Sequence, residues 1–424
     1  MASTGSSSSA EKAGPPALSA DVVVALTSHN DVSTIAAAVG AVTAGLSRAG
    51  GGRPTCLVLA DGGSTDGTRE AARAAAGAGG LVEAAFEPAS PLGELPYHGL
   101  PGRAAALRAV LRIADQAGAR ACVVIDARID GVGPDWVERL VSPVLADGID
   151  YVSPYYTRHA GEGALTRGIV YPLFRALYGV RLRQPAVTEF GCSRGLVAHF
   201  LEQEFWGLDH AAAGIDVRLA EAAVAGGFRA GEVELGVRRV APRGTPVDLS
   251  TTITQVVGAL FADLEARVDV WQRVRGSVAL PVFGPAAPQA GDAPPVHIES
   301  LLDSFRLGYR ELREIWTWIL PPRTIVELRR LTEMAPDRFR FDDRLWAGIV
   351  YDFAVGYTLR VMAREQLLRS LTPLYSGWAA SFVREVGAVK DAGAIDEVVE
   401  RVCLAFEAEK RHLISRWRWP ERLR

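Results

Sequence analysis

The feature that most constrains the fold is a short apolar run that ends on a carboxylate. Residues 122–125 are four consecutive apolar residues, and Asp126 follows them directly. An apolar run of this length without alternation is typical of a strand buried on both faces, as in parallel sheets covered by helices. Open α/β sheets bind their ligands outside the carboxyl ends of the strands. The sequence therefore predicts a buried strand whose last residue, Asp126, lies at a binding site.

Two similar apolar runs precede this strand. Residues 22–26 lead into a polar turn that starts at Thr27, and residues 55–60 end on Asp61. Each run is followed by a helical pattern. The alternation of strand and helix over the first 126 residues predicts an α/β fold, with a doubly wound, Rossmann-like, mostly parallel sheet flanked by helices.

Composition shifts along the chain indicate four segments. Residues 1–20 are rich in Ser, Ala, Gly and Pro and lack an apolar stretch, which predicts a disordered tail rather than a signal peptide. Residues 21–275 form the predicted α/β domain, and residues 276–296, rich in Pro, Gly and Ala, are predicted to be a linker. Residues 297–424 keep the apolar spacing of helices. This last part is expected to cap the α/β domain or to build a homo-oligomer.

Bulk properties exclude several classes of protein. The net charge of −3 over 424 residues argues against a nucleic-acid partner held by charge. Apolar runs are too short for a membrane span. The four cysteines are widely separated, as expected for reduced thiols of a cytoplasmic protein. The basic, aromatic end around residues 416–419 is expected to belong to the helical region, with a membrane-surface or partner-binding role as the alternative.

The segment Asp61-Gly-Gly-Ser-Thr-Asp-Gly-Thr68 is the most informative single motif. A strand ends on a carboxylate, glycines such as Gly62 allow a ligand to approach the backbone, and a helix begins. This pattern is typical of a ligand-binding turn. The structural alternative is an ordinary strand–helix turn in which Asp61 caps the backbone of its own loop.

Several motifs in order resemble the GT-A glycosyltransferases that make mannosylglycerate and glucosylglycerate. They include Pro96-Tyr-His-Gly-Leu-Pro-Gly-Arg103, Asp126-Ala-Arg-Ile-Asp130 and Gly214-Ile-Asp216. Residues 183–191 and 339–343 extend the resemblance over roughly residues 21–400. It implies a GT-A-like fold and transfer of a hexose from a GDP- or UDP-hexose to a small hydroxyl acceptor such as glycerate, with retention of anomeric configuration.

The resemblance also implies roles for individual residues. Those expected to contact the nucleotide sugar are Thr27, Asp61, Gly62, Asp126, Gln184 and Glu189. Those expected at the acceptor are Arg158, His159 and Thr166, where an arginine suits a carboxylate-bearing compound. The expected catalytic residues are Asp216, Arg103 and Arg128. Asp216 would orient or deprotonate the acceptor hydroxyl; the alternative is a carboxylate that stabilises the start of a helix.

Three positions depart from the family's pattern, and two of them are expected metal ligands. The family's Asp-x-Asp has Arg128 at its third position, its loop lysine is Arg103, and its late metal-binding histidine is Val240. Asp126 alone would hold Mg²⁺ or Mn²⁺ poorly, since such ions take several ligands. His210 is a candidate replacement ligand, although a lone histidine near a helix start is more often structural. The metal requirement therefore stays open, with none as one answer.

Two hypotheses follow from these departures. In the first, arginines replace the metal, because guanidinium groups can stabilise a leaving diphosphate. The arginines that map near this corner are Arg103, Arg128, Arg238 and Arg239. In the second, catalysis has been lost and the chain only binds a nucleotide sugar. Changed chemistry on the same fold is a further alternative.

Overall fold

The computed structural model describes residues 18–87, 97–157, 162–207, 214–241, 248–285, 297–389 and 392–420. Within these ranges the chain forms one large sheet, one small strand pair and helices on both faces of the sheet. The strands are β1 (Val22–Ser28), β2 (Thr55–Asp61), β3 (Val82–Glu83), β4 (Ala121–Asp126), β5 (Ile129–Asp130), β6 (Tyr151–Thr157), β7 (Phe190–Ser193), β8 (Ala230–Val237), β9 (Arg239–Val240) and β10 (Val282–Phe283).

The large sheet has the order β10-β8-β6-β7-β4-β1-β2-β3. Its neighbouring strands pair in parallel, except that β7 is antiparallel to both β4 and β6. The strands β5 and β9 form a separate antiparallel pair beside the large sheet. A mostly parallel sheet with one inserted antiparallel strand confirms the predicted GT-A-like fold class.

Residues of β1 show why these strands are apolar throughout. Val23 and Ala25 belong to one buried cluster, whereas Val22, Val24 and Leu26 belong to the other. Both faces of the sheet are therefore covered, and successive side chains alternate between the two cores. The helices over the α/β part are α1 (Ile35–Ala49), α2 (Thr68–Ala76), α3 (Arg103–Gln116), α4 (Pro134–Ala146), α5 (Tyr171–Tyr178), α6 (Arg194–Leu201), α7 (Ile215–Ala225), α8 (Leu249–Ala266) and α9 (Val268–Trp271).

The C-terminal region is helical, as predicted, and its core is continuous with one face of the sheet. Its helices are α10 (Ile298–Thr317), α11 (Pro322–Glu333), α12 (Asp343–Leu359), α13 (Arg364–Gly387) and α14 (Ala392–Arg418). Helix α14 packs on α5, while α12 and α13 pack on α8. This region therefore covers the α/β part. In the last turn of α14, Arg416 pairs with Asp352 and the ring of Trp417 contacts that of Trp271.

Some predicted elements differ from those observed. The third strand is only two residues long, and helices α8 and α9 are separated at Arg267, whose φ of −118° and ψ of 39° are not helical. The segment predicted as a linker contributes a strand, because Val282 and Phe283 pair with β8; residues 286–296 of that segment lie outside the described ranges. A π-helix, Thr166–Val170, precedes α5.

Two further predictions concern the state of the cysteines and the absence of a membrane-spanning helix. All four cysteines are buried and free. None of the helices in the described ranges is long and apolar enough to cross a bilayer.

Candidate functional site

The carboxyl ends of three neighbouring strands bring the predicted polar residues together. In the register of β1, Ser28 lies opposite Asp61 of β2, and Thr27 lies opposite Asp126 of β4. Open α/β folds bind their ligands outside the carboxyl ends of the strands, and these three residues lie at such ends. Thr27, Asp61 and Asp126 therefore lie at one edge of the sheet, as the sequence predicts.

Asp61 shapes the loop that follows its strand. Its Oδ1 accepts hydrogen bonds from the backbone N–H groups of Gly63 (3.1 Å) and Ser64 (2.8 Å). Its Oδ2 accepts from the hydroxyls of Ser28 (2.8 Å) and Ser64 (2.6 Å). Four donors fill the carboxylate, so its capacity is used within the protein. This arrangement supports the capping interpretation, and a bound nucleotide sugar would have to replace one of these donors.

Gly62, in the same loop, packs against Leu100 and Pro101. Its backbone N–H donates to the Ser28 carbonyl at 2.8 Å. A Cβ at this position would lie 2.7 Å from Cδ1 of Leu100 and 3.3 Å from the carbonyl oxygen of Pro101. A larger residue here would therefore require the Leu100 side chain to shift.

Asp126 is joined to the arginine two residues along the chain. Its Oδ1 accepts from the backbone N–H of Arg128 at 3.0 Å, and its Oδ2 accepts from the guanidinium of the same residue at 3.3 Å. The Arg128 side chain is 14% exposed. Its Nε is buried without a hydrogen-bond partner among the described residues. An unpartnered buried donor is costly, so this N–H is a group that a ligand oxygen could satisfy.

Val240 lies beside the same turn. In the β5–β9 pair it is opposite Ile129, and the N–H of Ala241 donates to the carbonyl of Arg128 at 3.0 Å. The position expected to hold a metal-binding histidine is therefore close to the Asp126 turn, but its side chain is aliphatic. Across the described part of the chain, no three His, Cys, Asp or Glu side chains come together to hold a metal ion. One carboxylate already bonded to a guanidinium, with valine beside it, does not fit a site for a divalent cation.

The predicted catalytic residues Arg103 and Asp216 form one buried ion pair. The Arg103 guanidinium donates to both carboxylate oxygens of Asp216 at 2.7–2.9 Å, and the two side chains are 1% and 0% exposed. Arg103 also donates to the Thr188 carbonyl (2.6 Å) and the Thr27 hydroxyl (3.2 Å). Asp216 accepts a further bond from the Tyr97 hydroxyl at 3.1 Å.

These contacts restrict what the pair can do. Burial would lower the pKa of the Arg103 guanidinium, but the Asp216 carboxylate outweighs burial and raises it. Burial raises the pKa of Asp216, and Arg103 opposes that shift. Neither side chain reaches the surface in this arrangement. The structure therefore favours a positioning role, in which the pair ties the starts of α3 and α7 to the end of β1, over direct proton transfer by Asp216.

A second arginine–carboxylate cluster lies next to this pair. The Arg238 guanidinium donates to Glu189 at 3.2 and 3.4 Å and to the Thr188 hydroxyl at 3.0 Å. The Tyr156 hydroxyl also donates to Glu189, at 2.9 Å. Burial would lower the pKa of Arg238, but the Glu189 carboxylate raises it above the ordinary arginine value. Unlike Arg103, the Arg238 side chain keeps 19% exposure. Glu189, which is expected to contact the sugar, is therefore paired with Arg238 in this structure.

A cavity of ≈ 320 Å³ adjoins Tyr156. Two residues predicted at the substrate, Gln184 and Thr166, line it. The other two residues predicted at the acceptor, Arg158 and His159, lie outside the described residues, as does the candidate ligand His210. The structure thus places the catalytic and nucleotide-sugar candidates on two adjoining areas, the sheet edge and this cavity.

Several residues of these two areas were not given roles from the sequence. They are Tyr97, Tyr156, Thr188, Arg167, Arg181, Arg183, Glu232, Asp396 and Glu400. Tyr97, Arg183 and Thr188 fall inside motifs that carry the resemblance, which was the available signal. Asp396 and Glu400 come from α14, far along the chain, and no local pattern indicates that they reach this cavity.

No protein-family model matches the chain, and no curated protein sequence matches it. Solved structures similar to it include glucosyl-3-phosphoglycerate synthase from Mycobacterium tuberculosis in complex with Mn²⁺, UDP and glucosyl-3-phosphoglycerate. That match has 24% identity and a TM-score of 0.42, and it covers 58% of this chain and 79% of that chain.

A second similar structure is mannosyl-3-phosphoglycerate synthase from Rubrobacter xylanophilus. It has 23% identity and a TM-score of 0.40, and the match covers 59% of this chain and 75% of that chain. The order and directions of the strands assign the fold class.

Proposed function

We propose that this chain is a glycosyltransferase that moves a hexose from a nucleotide-diphosphate sugar to a small hydroxyl acceptor. One observation carries the proposal: the strands β2, β1 and β4 end side by side with Asp61, Thr27 and Asp126 at one edge. The donor would bind over this edge, where ligands of doubly wound sheets bind. The acceptor would enter from the adjoining cavity.

Arginines supply positive charge at this site. Transfer breaks the bond between the anomeric carbon and the diphosphate oxygen, and negative charge develops on the leaving nucleoside diphosphate. Arg128 carries a buried, unpartnered Nε, and Arg238 is partly exposed. Guanidinium N–H groups bind phosphate oxygens in a fixed geometry. These two arginines therefore take the place of a divalent cation, and the reaction proceeds without one. Retention of anomeric configuration, which the sequence resemblance implies, is part of the proposal.

Arg103 and Asp216 hold the site together in this scheme. They connect α3, α7 and the end of β1 through hydrogen bonds that leave little capacity for a substrate. Their removal is expected to displace Thr27 and Thr188, which border the donor site. The acceptor oxygen bonds to the anomeric carbon as the diphosphate leaves, and the acceptor's proton passes to the departing diphosphate oxygen rather than to Asp216.

A second candidate function is binding of a nucleotide sugar without turnover. One observation favours it: the carboxylates of Asp61, Asp126 and Asp216 are all engaged by groups of the protein. None of the three is thus left to act as a base in this arrangement. The two functions differ in whether a glycosylated product forms.

The test measures product formation from GDP-mannose, GDP-glucose and UDP-glucose, with a panel of hydroxyl acceptors, in EDTA and in Mn²⁺ or Mg²⁺. We expect turnover with one donor that persists in EDTA and gives a product of retained configuration by NMR. Arg128→Ala should reduce kcat/KM at least about 100-fold. The matched control is Arg112→Ala, which removes an exposed arginine of α3 and should leave kcat/KM unchanged.

Other results would assign the function differently. Turnover only with added metal would refute the arginine mechanism while leaving glycosyl transfer. Donor binding in calorimetry with no product from any acceptor would favour the binding protein. Absence of donor binding would refute both.

A further inference from the structure

The cavity beside the sheet edge is built from both parts of the chain. Tyr155 and Tyr156 reach it from β6, Thr166 from the π-helix, and Asp396 and Glu400 from α14. Its volume of ≈ 320 Å³ is within the range of small-molecule sites. The C-terminal helical region therefore contributes directly to the wall of the proposed acceptor site.

Charged groups of opposite sign are balanced in this wall. Among its lining residues that the structure describes, three are arginines and three are carboxylates: Arg167, Arg181, Arg183, Glu232, Asp396 and Glu400.

Each arginine of the cavity has a carboxylate of the protein near it. Arg183 donates from its backbone N–H and from Nε to Glu232, both at 2.8 Å. Arg181 lies 4.0 Å from Oε1 of Glu400, and both carboxylate oxygens of Glu400 accept hydrogen bonds from the fully buried Arg175. These pairs leave the arginines in the cavity with their charge already compensated.

The third arginine follows the same pattern. Burial lowers the pKa of Arg167, and the carboxylates of Asp396 and Glu162 oppose that shift. Asp396 is exposed at the cavity, on the first turns of α14. A carboxylate or phosphate brought to these arginines would meet the protein's own carboxylates, which repel it or must be displaced.

Hydroxyl groups match this wall better than charged groups do. A hydroxyl donates one hydrogen bond and accepts others, so it can accept from a guanidinium and donate to the carboxylate beside it. Tyrosine rings add a flat apolar surface: the Arg183 guanidinium lies 3.5 Å from the ring centroid of Tyr155, and Tyr156 and Tyr171 line the same cavity. Alternating donors and acceptors next to aromatic rings suit a compound with several hydroxyls on an apolar frame.

We propose that this cavity takes an uncharged, polyhydroxylated acceptor, such as a sugar or a cyclitol, and that Asp396 of α14 disfavours anionic acceptors. The inference rests on the proposed function, since it assigns the acceptor of that reaction. It replaces the glycerate expected from the sequence resemblance by a neutral compound.

Binding measurements test the acceptor class without relying on turnover. Glucose, myo-inositol, D-glycerate and 3-phosphoglycerate are each titrated into the full chain, with nucleoside diphosphate present, by ligand-observed NMR or calorimetry. We expect a neutral polyol to bind at least about tenfold more tightly than either anion. Asp396→Asn should strengthen binding of the anions about three- to tenfold relative to binding of the neutral polyol.

Glu397→Gln is the matched control, because Glu397 is exposed on the same turn of α14 and does not line the cavity. It should leave all four affinities unchanged. Tighter binding of an anion by the unchanged protein, an equal effect of both substitutions, or no binding of any of the four compounds would overturn the inference. A clear preference for the neutral ligand without any glycosylated product would support the assignment of a neutral ligand to this cavity and would refute the proposed transferase activity.

Discussion

Removal of one member of the Arg103–Asp216 pair is the perturbation with the largest expected effect on this fold. Asp216→Asn keeps the shape of the side chain but removes the charge that compensates the guanidinium. Arg103 would then keep its bonds to the Thr188 carbonyl and the Thr27 hydroxyl, which carry no net charge. A buried charge that loses its partner is strongly destabilising.

The magnitude follows from the geometry of the pair. The guanidinium makes three contacts of 2.7–2.9 Å with Asp216, and both side chains are at most 1% exposed. Breaking such a pair costs about 3–5 kcal/mol of unfolding free energy. Arg103→Met should cost a similar amount, because it leaves the carboxylate buried with only the Tyr97 hydroxyl. The double variant removes both charges, so its cost should be below the sum by about 2 kcal/mol or more.

The assay is urea-induced unfolding followed by tryptophan fluorescence, with the midpoint and slope reported for each variant. The control is Arg329→Met, which breaks a pair with Glu333 whose side chains are 72% and 66% exposed. That change should cost less than about 0.5 kcal/mol. Single substitutions that cost under about 1 kcal/mol, or costs that add in the double variant, would show that the two charges do not stabilise each other.

Three other predictions concern a buried lysine, a tightly packed glycine and a helix cap. Burial lowers the pKa of Lys410 to about 8, so the folded chain binds fewer protons than the unfolded chain above that pH. The contribution of Lys410 to the unfolding free energy should therefore rise by up to about 3 kcal/mol between about pH 8 and 10.4. It is measured as the difference between the unchanged chain and Lys410→Met, and a difference that stays constant over this range would contradict the prediction. Gly168→Ala would place Cβ 2.0 Å from the Trp378 ring and should cost about 1–3 kcal/mol in thermal or urea unfolding, whereas Gly40→Ala, with nothing within 4 Å, should cost nothing. Asp342→Ala removes the side chain that caps α12 and should lower the unfolding free energy by about 1 kcal/mol, and an unchanged urea midpoint would exclude a capping contribution.

Periodicity and strand-end chemistry were enough to predict the sheet and its polar edge. The uninterrupted apolar runs before Asp61 and Asp126 indicate strands covered on both faces, and the structure buries both strands. Such patterns report local burial, which depends on few residues. The division of the long helix at Arg267 and the pairing of Val282 with β8 depend instead on distant contacts, so no local signal predicts them.

The pairs that charged residues form with each other could not be predicted from the sequence, for the same reason. Arg103 and Asp216 were each assigned a contact with substrate, yet they are 113 residues apart and bond to each other. Arg128 and Asp126 are close in sequence, so their contact follows from a turn of two residues. Asp396 lies on a helix whose position is set by packing of α14 on α5. Individual residue types therefore indicated the chemistry of the site, whereas only the fold shows which charges compensate each other.

The charge balance of the site bears on how a donor could bind. Asp126 faces Arg128, and Glu189 faces Arg238, so these four groups carry no net charge. A diphosphate brings negative charge, and it can approach the two guanidiniums only where a carboxylate moves away or leaves N–H groups unused. The buried Nε of Arg128 is one such unused donor. The carboxylates hold the arginines in place before the donor binds. In a metal-dependent site, groups that hydrogen-bond to the metal ligands orient those ligands in the same way. Binding of the donor would exchange an internal ion pair for an ion pair with phosphate, which makes its affinity sensitive to salt and to the identity of both carboxylates.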